Sequence, residues 1–207
     1  MLHLYTDSSP NGFKATIALE ELSLPYQLHH VRIDEGDHRK PEFLALNPYG
    51  RIPVLMDTET GVQLFESAAI LLYLADKTGA LLAPKGPTRW EAIKWLQFHA
   101  SSLGPLLGQR VHFTLFADTP IPLAQERYQG LTEEAFKVLD QTLVDRPYLA
   151  GDDYSIADIA HFGWLHIARI IQFDFSHHRY LSEWFERVAA RPAVRKGVTL
   201  PAPATGA

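Results

Sequence analysis

The sequence predicts an α/β N-terminal domain followed by an all-helical C-terminal domain. Three observations carry that prediction. Up to about residue 80, short strand patterns alternate with helical ones in the order β-α-β-α-β-β-α. Leu81 to Pro87 then holds two prolines and a glycine and reads as a linker. Beyond it every strong periodicity is helical. The expected domains are residues 1–80 and 88–207, with the linker at 81–87.

Leu2 to Thr6 alternates imperfectly and is short, as a buried first strand would be. Asp7-Ser8-Ser9-Pro10-Asn11-Gly12 is a dense turn cluster. Ala15, Ala18, Leu19 and Leu22 then recur at helical spacing, which predicts a helix from about Gly12 to Leu22. Tyr26 to Ile33 reads as a second strand. A strand-helix-strand unit of this length favours parallel pairing with a right-handed crossover. Gly36 to Lys40 is a polar loop, and Pro41 to Leu46 reads as a short helix. Pro53 to Asp57 and Val62 to Phe65 read as strands, with a hairpin loop at Thr58 to Gly61. Ala68 to Lys77 puts Ile70, Leu71, Leu74 and Ala75 on one helical face, and Gly79 supplies the stop. This is the order of a thioredoxin-like domain.

In the second half, Ile93, Leu96, Ala100, Leu103 and Leu107 repeat every three to four residues. Pro105, within Leu103 to Gln109, is expected to kink or end that helix. Pro120 and Pro122 mark a break before a helix over Leu123 to Leu143. Tyr154-Ser155-Ile156-Ala157-Asp158-Ile159 carries a capping-box pattern with a hydrophobic staple. The apolar run Ala157 to Ile171 predicts the central helix of the bundle. A last helix is expected over Tyr180 to Ala190. It stops near Arg191-Pro192, and the tail Leu200 to Ala207 is expected to fray.

Composition narrows the function. Apolar residues make up 46% and charged residues 21%, as in a globular protein with a sizeable core. Net charge is −5 and no basic stripe is present, which argues against a nucleic-acid partner. The N-terminus lacks a basic region followed by an apolar run, and no stretch is long enough to span a membrane. A cytoplasmic protein with no membrane partner is expected. There is no cysteine. Disulfides, thiolate metal sites and a cysteine nucleophile are therefore excluded, and any thiol chemistry must use a sulfur that the ligand brings. The ten histidines show no metalloprotease spacing. His29-His30 and His177-His178 are adjacent pairs, expected to point apart on a strand or helix, so no metal site is expected.

The stretch Asn47 to Leu55, followed by Leu64-Phe65-Glu66-Ser67, has the makings of a binding site. A cis Ile52-Pro53 bond lies within about 0.5–1 kcal/mol of trans. It would leave backbone groups of Ile52 or Val54 facing outward, where an extended peptide-like ligand can pair as an added strand. Glu66-Ser67 precedes a helix whose N-terminus suits a carboxylate. The same residues also fit an ordinary loop and N-cap.

Asn47 to Leu55, Phe65 to Leu74 and Tyr154 to Ile159, in this order and spacing, resemble the cytosolic glutathione transferase family. Ser9 to Lys14, Leu103 to Gln109, and Ile121-Pro122 with Glu126 to Gln129 further resemble its Nu-class, or disulfide-bond oxidoreductase, branch. That resemblance implies a homodimer that binds glutathione or glutathione disulfide as cosubstrate and reduces disulfides. It assigns Ser9 and Asn11 to the sulfur; Ser9 stands where the branch has Thr. A hydroxyl and an amide can both donate to a sulfur anion, which lowers the thiol pKa and favours the attacking thiolate. It assigns the Ile52 backbone, with Pro53, to the cysteinyl part, Glu66 to the γ-glutamyl ammonium and Ser67 to its carboxylate. His38 stands near the glycyl carboxylate, where the family often has Gln. Arg51 stands where a basic residue or Asn is common. Arg127 is a candidate contact to a second glutathione, with an interhelical salt bridge as the alternative. The other substrate would be a small-molecule disulfide or electrophile, set against Phe113 and Phe116. The remaining readings are conjugation to electrophiles, peroxide reduction, or a non-catalytic glutathione-binding module.

Overall fold

The computed structural model describes residues 1–202. The expectation for the end of the tail, from residue 203 on, lies outside the described residues. Backbone contacts divide the chain into two compact units. One comprises Met1–Leu82 together with the chain from Ala189 on, and the other is Ala83–Val188.

The first unit has the expected order: β1 (Leu2–Thr6), α1 (Pro10–Glu21), β2 (Tyr26–His30), α2 (Pro41–Leu44), β3 (Val54–Asp57), β4 (Val62–Phe65) and α3 (Ser67–Thr78). The sheet order is β2-β1-β3-β4. β1 and β2 pair in parallel, with Thr6 opposite His30. β3 runs antiparallel to both neighbours, and Val54 faces Tyr5 on one side and Phe65 on the other. Leu4, Leu55, Ile17, Leu19, Ile70, Leu71 and Leu74 form the fully buried centre. β2 is shorter than its hydrophobic pattern suggested. Past Val31, two carboxylates take the N–H groups that strand pairing would need. Ile33 N donates to Asp7 Oδ2 at 3.0 Å and Arg32 N to Asp37 Oδ2 at 3.0 Å.

A short final helix escaped the sequence pattern. Between Pro192 and Gly197 there are too few residues for a periodicity to register. α9 (Pro192–Gly197) packs on α1. Thr16 Oγ1 donates to Gly197 O at 2.7 Å, and Arg191 forks onto the Glu21 carboxylate at 2.6 and 2.8 Å. A Cβ at Gly197 would stand 2.6 Å from Ile17 Cγ1 and 2.8 Å from its Cα. Only glycine allows so close an approach.

The second unit holds α4 (Pro87–Phe98), α5 (Gly104–Val111), α6 (Pro122–Thr142), α7 (Ile156–Ile170) and most of α8 (Arg179–Ala189). Pro105 does not end the helix it interrupts. A π-helical segment, His99–Leu103, carries α4 into α5, and a second one, His112–Phe116, follows α5. The wider turn accommodates the N–H that proline lacks and its ring. The capping box forms as expected. Ser155 Oγ accepts from Ala157 N at 3.2 Å, and Asp158 Oδ2 accepts from Ser155 N at 2.9 Å. Asp158 is fully buried and does more than cap. Its Oδ1 also accepts from Leu149 N at 3.0 Å and Trp184 Nε1 at 2.8 Å, tying the preceding loop and α8 to the start of α7.

The expectation that His177 and His178 point apart is wrong. Both lie in the turn just before α8, and the two Nε2 atoms converge at 2.7 Å on one oxygen of Glu133, from α6. The three side chains form a hydrogen-bonded latch across the unit. The His177 imidazole is held above its ordinary range by Glu133. Among the described residues no helix is long and apolar enough to cross a membrane.

Gly197→Ala should lower stability by about 1–3 kcal/mol through overpacking against Ile17. Urea unfolding followed by circular dichroism measures this, and an unchanged midpoint would refute the contact.

Candidate functional site

The sheet register gathers three segments at one end of the first unit. β1 leaves the sheet after Thr6. β3 enters beside it at Val54, paired with Tyr5. β4 leaves at Phe65, paired with Val54. Pro53 and Glu66 follow directly at that end of the pairing, and Ser67 opens α3. The turn at Asp7 to Ser9, the approach to β3 and the start of α3 therefore meet.

The first segment is held by Asp7. Burial works against its charge, but hydrogen bonds from Ile33 N, His30 Nε2 and Ser8 N outweigh burial and keep its carboxyl below the usual range. Ser9 is the N-cap of α1. Its Oγ accepts from Gly12 N at 3.1 Å, and Pro10 takes the first helical position. Capping uses an oxygen lone pair and leaves the hydroxyl hydrogen to donate. Gly12 lets the helix start against the strand end, since a Cβ there would lie 2.2 Å from Asp7 O and 2.5 Å from Thr6 Oγ1.

The second segment hangs on Asn47, which is buried. Its Nδ2 donates to Arg51 O at 2.6 Å and its Oδ1 accepts from Tyr49 N at 3.0 Å, so one amide closes the loop. The Ile52-Pro53 bond is cis. The Ile52 side chain packs on the cluster of Val31, Phe43 and Val54. Gly50, at φ +65°, passes beneath the polar loop, with a built Cβ 2.9 Å from His38 O. That places the His38 loop directly over the approach to β3. His38 is half-buried, and its Nδ1 is buried with no hydrogen-bond partner among the described residues. Arg51 is exposed and lies over the Tyr49 ring, 5.3 Å from its centroid.

The third segment is the start of α3. Glu66 occupies its N-cap position at φ +73°, a backbone that a side chain rarely adopts. Among the described residues no side chain caps this helix. Its first N–H groups and positive dipole end are thus available to an anion.

Sequence reading missed one residue here. Lys14, on α1, is 3% exposed. Its Nζ donates to Asn11 Oδ1 at 2.8 Å and to Ser67 Oγ at 3.2 Å. Burial pushes the ammonium down to about 7, against the opposing pull of the Glu66 charge. The available signal was a lysine set between Phe13 and Ala15 in the N-terminal half of α1. The structure thus brings together Ser9, Asn11, Ile52, Pro53, Glu66 and Ser67, with His38 over Gly50 and Arg51 turned to solvent. Arg127 belongs to the second unit, exposed on α6. In that unit Phe113 stacks on Tyr128 at 5.6 Å between centroids, and Phe116 is exposed. The assembled site offers hydroxyl, amide and helix-start donors beside a buried cation. It suits a ligand with a carboxylate at one end and a second anionic atom near Ser9 and Asn11.

Known proteins share the sequence and fold of this chain. The glutathione S-transferase N-terminal domain family matches residues 8–77, and the C-terminal domain family matches residues 109–192. The disulfide-bond oxidoreductase YfcG of Escherichia coli (strain K12) is 40% identical over 198 residues, spanning 93% of this chain and 92% of its own. The disulfide-bond oxidoreductase YghU of the same organism is 34% identical over 212 residues, spanning 95% and 73%. A glutathione transferase family member from Pseudomonas fluorescens, solved with two glutathione bound, superposes with a TM-score of 0.89 at 36% identity, covering 95% of this chain and 92% of that one. A glutathione transferase from Pseudomonas putida, with one glutathione disulfide bound per subunit, gives a TM-score of 0.90 at 35% identity, covering 97% and 91%.

Lys14 makes stability depend on pH in a definite direction. The unfolded chain keeps this proton to about pH 10.4, whereas the folded chain releases it above about 7. Between those values the unfolded state binds more protons, so folding stability rises with pH. Urea unfolding of the ligand-free protein should therefore show wild type gaining roughly 1–3 kcal/mol on Lys14→Met between pH 7 and 9. A difference that does not change with pH would mean that the lysine titrates normally.

Proposed function

The chain belongs to the glutathione S-transferase family, and we propose that within it the protein is a glutathione-dependent disulfide-bond oxidoreductase. The observation that carries this reading is an intact ligand frame in a chain with no cysteine. The sulfur must come from the ligand, and donors stand where that sulfur would lie. Two relatives named as disulfide-bond oxidoreductases support it, as do related structures holding two glutathiones or one glutathione disulfide.

Glutathione lies along the sheet end. Ser67 and the α3 N-terminus take the γ-glutamyl carboxylate, and Glu66 takes its ammonium. The Ile52 backbone, turned by Pro53, pairs with the cysteinyl residue. His38 reaches the glycyl carboxylate, and its buried, unpartnered Nδ1 supports a polar role for that ring. Arg51 contributes positive charge at the rim. Ser9 and Asn11 donate to the sulfur and favour its thiolate. The thiolate attacks one sulfur of the substrate disulfide, forming a mixed disulfide and expelling the other sulfur as a thiolate. A second glutathione thiolate then attacks the glutathionyl sulfur of the mixed disulfide. Glutathione disulfide forms and the second substrate thiolate leaves. Two electrons pass from two glutathiones to one disulfide, and the departing thiolates take up the protons that the glutathiones lost. Arg127, exposed on α6, is assigned to the second glutathione.

We assign the chain to the Nu-class branch, with Ser9 in the Thr position, and to the cytoplasm as a homodimer. Exposed Tyr49 and Phe65 on the first unit support a partner surface there. Along the sequence the glutathione-binding domain is taken as residues 1–80 and the helical domain as 88–207, with the family matches at 8–77 and 109–192 in support, although the backbone returns the chain from Ala189 on to the first unit.

Reduction of 2-hydroxyethyl disulfide by glutathione tests the reading. Turnover should exceed the uncatalysed rate. Ser9→Ala and Asn11→Ala should each lower kcat/KM by about tenfold or more, since a hydrogen bond to a charged group contributes about 1.5–3 kcal/mol. Ser67→Ala should chiefly raise KM. No turnover in folded protein would overturn the oxidoreductase reading, and activity confined to a chlorinated nitrobenzene or an organic hydroperoxide would replace it with conjugation or peroxide reduction.

A further inference from the structure

Two groups of the proposed glutathione site, Asn11 and Ser67, are ambivalent hydrogen-bonding groups. The Asn11 amide carries an acceptor oxygen and a donor nitrogen, and the Ser67 hydroxyl can donate or accept. Their roles require both to present a donor, one to a sulfur anion and one to a carboxylate. Nothing intrinsic to either residue enforces that choice.

Lys14 does. An ammonium has three donors and no acceptor. With Nζ at 2.8 Å from Asn11 Oδ1 and 3.2 Å from Ser67 Oγ, both oxygens are committed as acceptors toward it. The Asn11 amide must therefore carry its NH2 on the side away from Lys14. The Ser67 hydroxyl must likewise send its hydrogen elsewhere. One buried side chain turns two ambivalent groups into outward donors. It also joins segments that lie 53 residues apart in sequence.

Resting on the glutathione reading above, we propose that Lys14 is a positioning residue that couples the two ends of bound glutathione, orienting Asn11 for the sulfur and Ser67 for the γ-glutamyl carboxylate. Its electrostatic setting fits that role. Lys14 rises between the starts of α1 and α3, both positive dipole ends. The opposing charge that bears on it is Glu66, at the junction of β4 and α3. A cation so buried, facing one carboxylate among the described residues and two helix starts, is under-neutralised. A ligand that brings a carboxylate and a thiolate supplies the missing negative charge. Burial brings Lys14 close to releasing its proton near neutral pH, and a dianionic ligand would hold that proton in place.

The test compares wild type with Lys14→Met, which loses charge and donation, and Lys14→Gln, which loses charge but retains a donor. Bound glutathione is titrated with pH by its ultraviolet thiolate absorbance. Affinity for S-methylglutathione, which has no thiol, reports the γ-glutamyl end alone. In Lys14→Met the bound thiol should titrate about one pH unit higher or more, which is about tenfold less thiolate at neutral pH. S-methylglutathione should also bind more weakly, and Lys14→Gln should recover part of that affinity. In an Asn11→Ala background, Lys14→Met should shift the thiol titration little, because Lys14 acts on the sulfur through Asn11. A purely structural lysine would alter melting without moving the thiol titration. Folded Lys14→Met with a wild-type titration and wild-type S-methylglutathione affinity would overturn the proposal. If Lys14→Met does not fold, Lys14→Gln is judged by the same criterion. Wild type that binds glutathione as a thiolate but fails to reduce disulfides would sink the oxidoreductase reading alone. A bound thiol that titrates as free glutathione does would sink the Lys14 proposal.

Discussion

The pairing of Val54 with Tyr5 on one side and Phe65 on the other is the constraint on which the first unit depends. In a sheet, a slip of one residue turns every side chain to the opposite face. Here it would also separate the three segments that make the site. The approach to β3 and the start of α3 stay opposite one another only in this register. The N-terminal turn reaches them because β1 ends beside the start of β3. The buried residues that alternate along β1 enforce the pairing from the core side, so the packing that stabilises the sheet also sets the spacing of the ligand groups.

The unit treats its helix starts unequally. α1 is capped by Ser9, and in the second unit α7 is closed by a full capping box. α3 has neither, and its N-cap residue sits at positive φ. Such backbone costs of order 1–3 kcal/mol. A buried lysine lies beside it. These features make poor sense as folding devices, since a serine or aspartate cap would relieve the first and a methionine the second. Under the proposed function they belong together, as an electropositive socket for an anion. Stability is supplied elsewhere, in the apolar centre under the sheet and in the Asp158 network of the helical unit.

Much of this was legible in the sequence, for reasons tied to local chemistry. The strand and helix order followed from periodicities of two and 3.6 residues. The Ser155-Asp158 box could be read from spacing alone, because a capping box is complete within four residues. Lys14 could not be read that way. Its burial arises from Ser67 and the start of α3, far along the chain, while its local setting is simply a polar residue in a helix. His177 and His178 were misread because adjacency was taken to mean one regular element, whereas both lie in the irregular turn before α8, which brings both rings to Glu133. Pro105 was read as a breaker because proline forbids an ideal α-helix, and a π-helical turn resolves that conflict without ending the helix. In each case the missing information was a contact made by a distant segment, or a backbone form outside the regular periods.

The return of α9 to α1 makes the first unit discontinuous in sequence. Thr16, Ile17, Glu20 and Glu21 receive their partners from residues 191 to 197. On the ribosome, the strands and helices of residues 1–82 leave the exit tunnel long before those partners are made. The whole helical unit is synthesised in between. The face of α1 that α9 covers is therefore bare in every nascent chain that stops short of Gly197. The N-terminal unit is made first, yet its partners are completed only after the helical unit.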